Sequence, residues 1–154
     1  MRFIADMMLG RLARWLRLYG YDTLYGIEDD DEIVRIALRE DRVILTRDSG
    51  LAKRAEKLGA EVFLLYSNSL EEQVEELRRL GVEFGELFPP SARCPKCNGL
   101  LRSASKEEVK GKVPPKVYEK YDEFYVCKNC GQIYWPGRQW EEMVKMDRKL
   151  RGEK

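Results

Sequence analysis

Apolar residues along the first half of the chain fall into two alternating rhythms, short continuous runs and helical stripes. Arg2-Phe3-Ile4-Ala5-Asp6 is a short apolar run that ends on an acid, and it predicts a strand. From Leu9 to Tyr19 the apolar positions Leu9, Leu12, Ala13 and Leu16 step at helical spacing, with Gly20 as the stop. Thr23 to Ile27 predicts a second short strand, and Asp31 to Glu40 a helix carrying Ile33, Ile36 and Ala37. Arg42 to Thr46 is the most strand-like run, followed by a helix over Gly50 to Leu58 that Gly59 closes. Glu61 to Leu65 predicts a fourth strand, and Leu70, Val74, Leu77 and Leu80 mark a fourth helix closed by Gly81. The order is β-α-β-α-β-α-β-α, with continuous rather than alternating apolar strands. That pattern belongs to an α/β fold, a parallel sheet flanked by helices on both faces.

The rhythm breaks at Phe88-Pro89-Pro90-Ser91, because two prolines cannot continue a helix. A boundary there divides the chain into modules 1–90 and 91–154. In the second, Cys94-Pro95-Lys96-Cys97 and Cys127-Lys128-Asn129-Cys130 bracket a polar middle, Lys106 to Lys116, that predicts a flexible loop or hairpin. Phe124-Tyr125-Val126 and Gln132-Ile133-Tyr134 predict short strands. Gln139 to Leu150, with Trp140, Met143 and Val144, predicts a closing helix.

Charge sharpens this division. The formal net charge of the 154 residues is only +1. Residues 1–92 nevertheless carry 13 Lys and Arg against 18 Asp and Glu, and residues 93–154 carry 15 against 9. An acidic first module and a basic second one predict different jobs. No apolar run approaches the ~18 residues of a membrane span, and no signal-peptide pattern opens the chain, so a cytoplasmic protein is expected. Histidine is absent. Ser/His/Asp triads, Cys–His dyads and HExxH zinc sites are therefore excluded, leaving Asp, Glu, Lys, Tyr or Cys for acid–base and metal chemistry.

Two CxxC pairs, Cys94/Cys97 and Cys127/Cys130, supply the thiolates of a closed tetrahedral structural zinc site. Gly99 and Gly131 follow them and suit knuckles that turn backbone amides toward sulfur at positive φ. A block this poor in apolar side chains needs such a staple. The competing arrangement, two disulfides, requires an oxidising compartment.

Acidic residues follow three successive predicted strands: Asp6 after the first, Asp31 with Asp29 and Asp30 after the second, Asp48 after the third. Ligands bind at the carboxyl ends of strands in open parallel sheets. Clustered carboxylates repel unless a divalent cation neutralises them, and hard oxygen ligands favour Mg²⁺ or Mn²⁺. Such a site suits phosphodiester hydrolysis. Each acid also has a plainer use, since Asp31 could cap its helix and Asp48 or Ser49 the next, although Asp6 has no obvious helix to cap. Arg11, Arg14 and Arg17 form a stripe on the first helix, either a solvated face or a phosphate-contacting strip beside Asp6. Trp15 interrupts that stripe and is expected to be partly exposed.

The run Asp6-Met7-Met8-Leu9-Gly10-Arg11-Leu12-Ala13-Arg14-Trp15-Leu16-Arg17, then Gly20-Tyr21-Asp22 and Leu45-Thr46-Arg47-Asp48, resembles the mutator-seven C-terminal RNase domain family. Arg93 to Gly99 and Cys127 to Gly137 resemble the same family's second half. The resemblance implies a PIN-like nuclease fold followed by a zinc ribbon. It also implies a metal-dependent ribonuclease, with Asp6, Asp31 and Asp48 at the acidic-cluster positions. One departure stands out: a histidine usually follows Tyr-Trp-Pro-Gly closely, and here Arg138-Gln139-Trp140 stands instead.

The leading expectation is an endoribonuclease in which Asp6, Asp31 and Asp48 hold catalytic Mg²⁺ or Mn²⁺. Arg11, Arg14, Arg17 and Arg47 would contact RNA phosphate, while the ribbon adds cationic and aromatic surface. The alternative is a non-catalytic RNA-binding or ribosome-associated adaptor, whose acids are caps. A small-molecule phosphatase fits less well, because Met8 occupies the second acidic position of an Asp-x-Asp pair.

Overall fold

The computed structural model describes residues 1–87, 89–135 and 138–152. Phe88, Pro136, Gly137 and the ring of Trp140 lie outside the described residues. The first module is built on four short strands, β1 (Phe3–Ala5), β2 (Thr23–Leu24), β3 (Val43–Thr46) and β4 (Val62–Leu64), in the spatial order β2-β1-β3-β4. All three pairings are parallel, with Phe3 beside Thr23 and Val43, and Ile44 beside Val62. Helices α1 (Gly10–Leu18), α2 (Asp30–Glu40), α3 (Ser49–Lys57) and α4 (Leu70–Arg79) connect or follow the strands.

Because side chains alternate across a strand, β1 and β3 each feed two cores. Phe3, Ala5, Val43 and Leu45 pack with Leu12 and Leu16 of α1 and Val74 and Leu77 of α4. On the opposite face Ile4 and Ile44 pack with Ile33 and Ala37 of α2 and Leu51 and Ala55 of α3. Both faces are covered, which is why the strands read as continuous apolar runs.

The second module holds a three-stranded antiparallel sheet, β5 (Leu101–Ala104), β6 (Phe124–Cys127) and β7 (Ile133–Tyr134). The polar middle is not a loop or hairpin throughout, as its composition suggested. It forms two short helices, α5 (Lys106–Val109) and α6 (Pro115–Lys120). The Ser105 hydroxyl and the Glu108 carboxylate cap the first of them reciprocally, and Val109 is fully buried beside Phe124.

The last helix, α7 (Arg138–Leu150), leaves the ribbon and returns to the first module. Met143, Met146 and Leu150 pack against the core that α1 and α4 share. Lys149 pairs with Glu71 at 2.9 Å, and Tyr19 donates from its hydroxyl to Asp147. The chain boundary at Pro89-Pro90 is thus crossed again in space.

Candidate active site and metal centre

In the order β2-β1-β3-β4, the chain leaves β1 toward β2 and leaves β3 toward β4. The connections diverge between β1 and β3, the switch point where open parallel sheets form a ligand crevice. Asp6 and Asp48 follow those two strands. The Asp6 amide donates to the Leu45 carbonyl at 2.9 Å and so extends the ladder by one residue. Thr46, fully buried, donates from Oγ1 to Asp6 Oδ2 at 2.8 Å, and the same oxygen accepts from the Asp48 amide at 3.0 Å. One hydroxyl therefore fixes both acidic positions. Sequence reasoning missed Thr46, although a polar residue closing an apolar strand was its visible signal.

Each acid also has a backbone task. Asp48 Oδ1 accepts from the Gly50 and Leu51 amides at 2.8 and 3.3 Å and caps α3. Asp6 does have a turn to cap: Met7–Leu9 forms one 3₁₀ turn, and Asp6 Oδ1 accepts from the Met8 amide at 3.4 Å. Asp31 sits in the first turn of α2, but its cap is Asp29, which accepts from the Asp31 amide at 2.9 Å. The Asp31 side chain is 79% exposed, and its nearest cation is Arg54 of α3 at 4.0 Å. Arg54 pairs more closely with Asp30, at 3.1 Å. The structure thus joins Asp6 to Asp48 and leaves Asp31 facing solvent beside Arg54.

The arginines divide similarly. Arg11 and Arg14 are exposed on α1, and Arg47 is half-buried with a buried Nε that has no hydrogen-bond partner among the described residues. Arg17 departs from the expected phosphate strip. It is only 6% exposed, and its Nε and Nη1 donate to the carbonyls of Thr23 (2.9 Å) and Pro95 (2.7 Å). Burial weakens its hold on the proton, while the nearby Cys94 and Cys97 sulfurs act the other way. Trp15 is likewise 5% exposed, not partly open, because its ring packs beside Tyr19 in the core against which Met143, Met146 and Leu150 also lie.

The four cysteines converge. Their sulfurs lie within 4.8 Å of one another, with Cys94 to Cys130 at 3.8 Å and Cys97 to Cys127 at 3.4 Å. Those are not disulfide distances. Four Zn–S bonds of ~2.3 Å at tetrahedral angles require sulfur separations of about 3.8 Å, so the quartet fits one zinc ion. Among the described residues no group of three carboxylates gathers in the same way.

Backbone amides aim at the sulfurs as expected: Gly99 at Cys97, and Asn129 and Cys130 at Cys127, each at 3.4 Å. The Asn129 side chain adds a contact to Cys97 at 3.5 Å, and these donors hold its thiol down to about 6 despite partial burial. Burial instead pushes the Cys127 thiol up. The Tyr134 hydroxyl sits 3.0 Å from Cys94 Sγ, and burial there drives its ionisation up. In the second knuckle the left-handed residue is Gly131, φ 78°, as predicted. In the first it is Asn98, φ 72°, not Gly99. Gly99 is needed for space, since a Cβ there would lie 2.7 Å from Asn129 Cβ and 2.9 Å from Cys127 Sγ.

Asn98 also docks the knuckle on the sheet. Its Oδ1 accepts from the Thr23 amide at 3.1 Å, and its Nδ2 donates to Asp22 at 2.8 Å. Asp22 pairs with buried Arg42 at 2.8 Å and with Arg93 at 3.7 Å. Burial opposes the Asp22 charge, but Arg42 and Asn98 outweigh it and hold the carboxyl below its ordinary range.

No helix among the described residues is long and apolar enough to cross a membrane. Comparison with curated proteins and with solved structures yields no match to this chain. Against protein families, residues 1–147 match the family described as the Mut7-C RNAse domain. That match takes in both the parallel sheet with its acidic crevice and the four-cysteine centre, and the chain belongs to the Mut7-C RNAse domain family.

Proposed function

We propose that this chain is a metal-dependent ribonuclease that hydrolyses RNA phosphodiester bonds, with Asp6 and Asp48 as its central carboxylates. The observation that carries the reading is the Asp6–Thr46–Asp48 link at the point where the strand connections diverge. The donor set fits Mg²⁺ or Mn²⁺, because both groups offer hard oxygen and Mg²⁺ keeps several waters while binding one or two carboxylates. Asp48 Oδ2 has no hydrogen bond among the described residues and is available to the ion. Asp31 would join as a third carboxylate through a water or on movement of its exposed side chain. Bound there, the metal would supply an activated water and charge for the leaving oxygen. The chain's own part is orientation: Thr46 fixes the Asp6 carboxylate, and the α3 cap fixes Asp48. Arg11, Arg14 and Arg47 carry positive charge on elements beside the crevice, where RNA phosphate would lie. The cysteine centre holds structural zinc through Cys94, Cys97, Cys127 and Cys130, and its basic module aids RNA binding. The family supports RNA as substrate.

The caps that Asp6 and Asp48 form favour a second reading, an RNA-binding adaptor in which both acids are only structural. Mn²⁺-dependent cleavage of mixed RNA by Asp6→Asn and Asp48→Asn separates the two. Loss of metal-held chemistry costs several kcal/mol of transition-state stabilisation, so each rate should fall ~10²-fold or more. An adaptor shows no metal-dependent cleavage in the unsubstituted chain, and unchanged cleavage in both variants removes these residues from the site.

A further inference from the structure

A groove of about 450 Å³ runs along the junction of the two modules, lined by Arg14, Arg17, Tyr25, Pro95, Lys96 and Tyr134. That volume lies within the roughly 300–1,000 Å³ of ligand clefts. Three linings are cationic, two are aromatic and none is a carboxylate. Arg17 is spent on the Thr23 and Pro95 carbonyls and forms the floor that joins the modules. Arg14 and Lys96 are exposed, and neither makes an ion pair among the described residues. One wall reaches the acidic crevice: the Tyr25 hydroxyl donates to the Met7 carbonyl at 2.7 Å, one residue beyond Asp6. The far wall, Tyr134, touches the cysteine centre through Cys94.

We infer that this groove seats the single-stranded RNA flanking the cut, with its phosphates on Arg14 and Lys96 and an unpaired base against Tyr25. The inference rests on the ribonuclease reading for its direction, since the strand would run from the Asp6 crevice toward the zinc knuckle. A cationic track with interleaved rings is how proteins hold single strands without reading sequence. Stacking on Tyr25 needs an unpaired base, which selects single strands over duplex.

The test measures binding of a fluorescent single-stranded oligoribonucleotide to the zinc-loaded full chain, without Mg²⁺ or Mn²⁺. Arg14→Ala combined with Lys96→Ala should weaken binding tenfold or more. It should also shallow the log-affinity against log-salt slope by about 1.4, at ~0.7 per lost phosphate contact. Arg35→Ala with Arg39→Ala removes equal charge from exposed positions of α2, on the other face of the sheet, and should change binding less than threefold. Duplex RNA of the same length should bind more weakly than the single strand. Unchanged binding in the groove pair, an equal loss in the α2 pair, or equal binding of duplex each overturns the inference. No Mn²⁺-dependent cleavage together with binding lost in the groove pair would fail the ribonuclease reading and leave the groove standing. Cleavage with groove-pair binding unchanged would do the reverse.

Discussion

Asp48 has two tasks that a single substitution separates. Its Oδ1 caps α3, while the proposed metal contact uses Oδ2. Asn caps about as well as Asp, so Asp48→Asn should keep thermal stability within ~0.5 kcal/mol, whereas Asp48→Ala should lose ~1 kcal/mol. Both should lose Mn²⁺-dependent cleavage, and a cleavage loss that tracks stability instead would mark a cap only. Asp22 offers a pH test. It is held below the ordinary carboxylate range, so its stabilisation is fully present above the unfolded value near 3.9 and fades as pH falls through the lower folded value. Asp22→Asn removes one of the two carboxylates paired with buried Arg42, leaving Glu40 at 2.9 Å, and at pH 7 this should cost about 2 kcal/mol. Melting curves of variant and parent should converge below pH 4; a constant gap at every pH would show that Asp22 matters through packing alone. These pairings were not legible in the chain. Asp22 and Arg42 stand 20 residues apart, and nothing in their local pattern marks them as partners.

At the level of elements, the sequence is informative wherever a residue's surroundings lie within its own helix or strand. The four β-α pairs appear where apolar periodicity predicts them, with boundaries differing by a few residues, because each buries one stripe against one sheet. The short helices of the second module lie in a polar stretch whose composition predicts a loop, although Ser105-x-x-Glu108 is a capping-box signature. Trp15 and Arg17 depart from the expected exposure for a different reason: α7 packs on the core that holds Trp15, the ribbon's Pro95 covers Arg17, and a helical stripe predicts only one buried face. The cysteine centre was legible because ligand spacing is local within each knuckle. Its packing gives a further prediction. Gly99→Ala would place a methyl against Asn129 and Cys127 Sγ, forcing the two knuckles apart. Zinc affinity, measured by competition with a chelator, should fall 10–100-fold, the usual cost of disturbing groups that orient metal ligands. Unchanged affinity would show that the knuckles yield freely.

Across the whole molecule, the division at residue 90 that composition suggests is not a division of cores. Met143, Met146 and Leu150 of α7 cover the face formed by α1 and α4. Lys149 pairs with Glu71, Arg78 donates to the Leu150 carbonyl, and Arg151 donates to the Gly85 carbonyl. Deleting residues 138–154 leaves every cysteine and acidic candidate in place, so it isolates the contribution of this return. Each of three partly buried apolar side chains is worth about 1 kcal/mol, near half its full transfer value, and the exposed ion pair adds little. The parallel-sheet module should therefore lose about 3 kcal/mol, and its melting temperature should drop by roughly 12–24 °C for a domain of this size. Zinc content should stay unchanged, since the ligands precede the deletion. Separate modules predict another pattern, in which removing α7 leaves the sheet's melting temperature where it was. Hydrogen exchange of the β1 and β3 amides reports the same comparison locally. Accelerated exchange there with zinc retained would tie the crevice's rigidity to the last helix, and unchanged exchange would remove α7 from the support of the site.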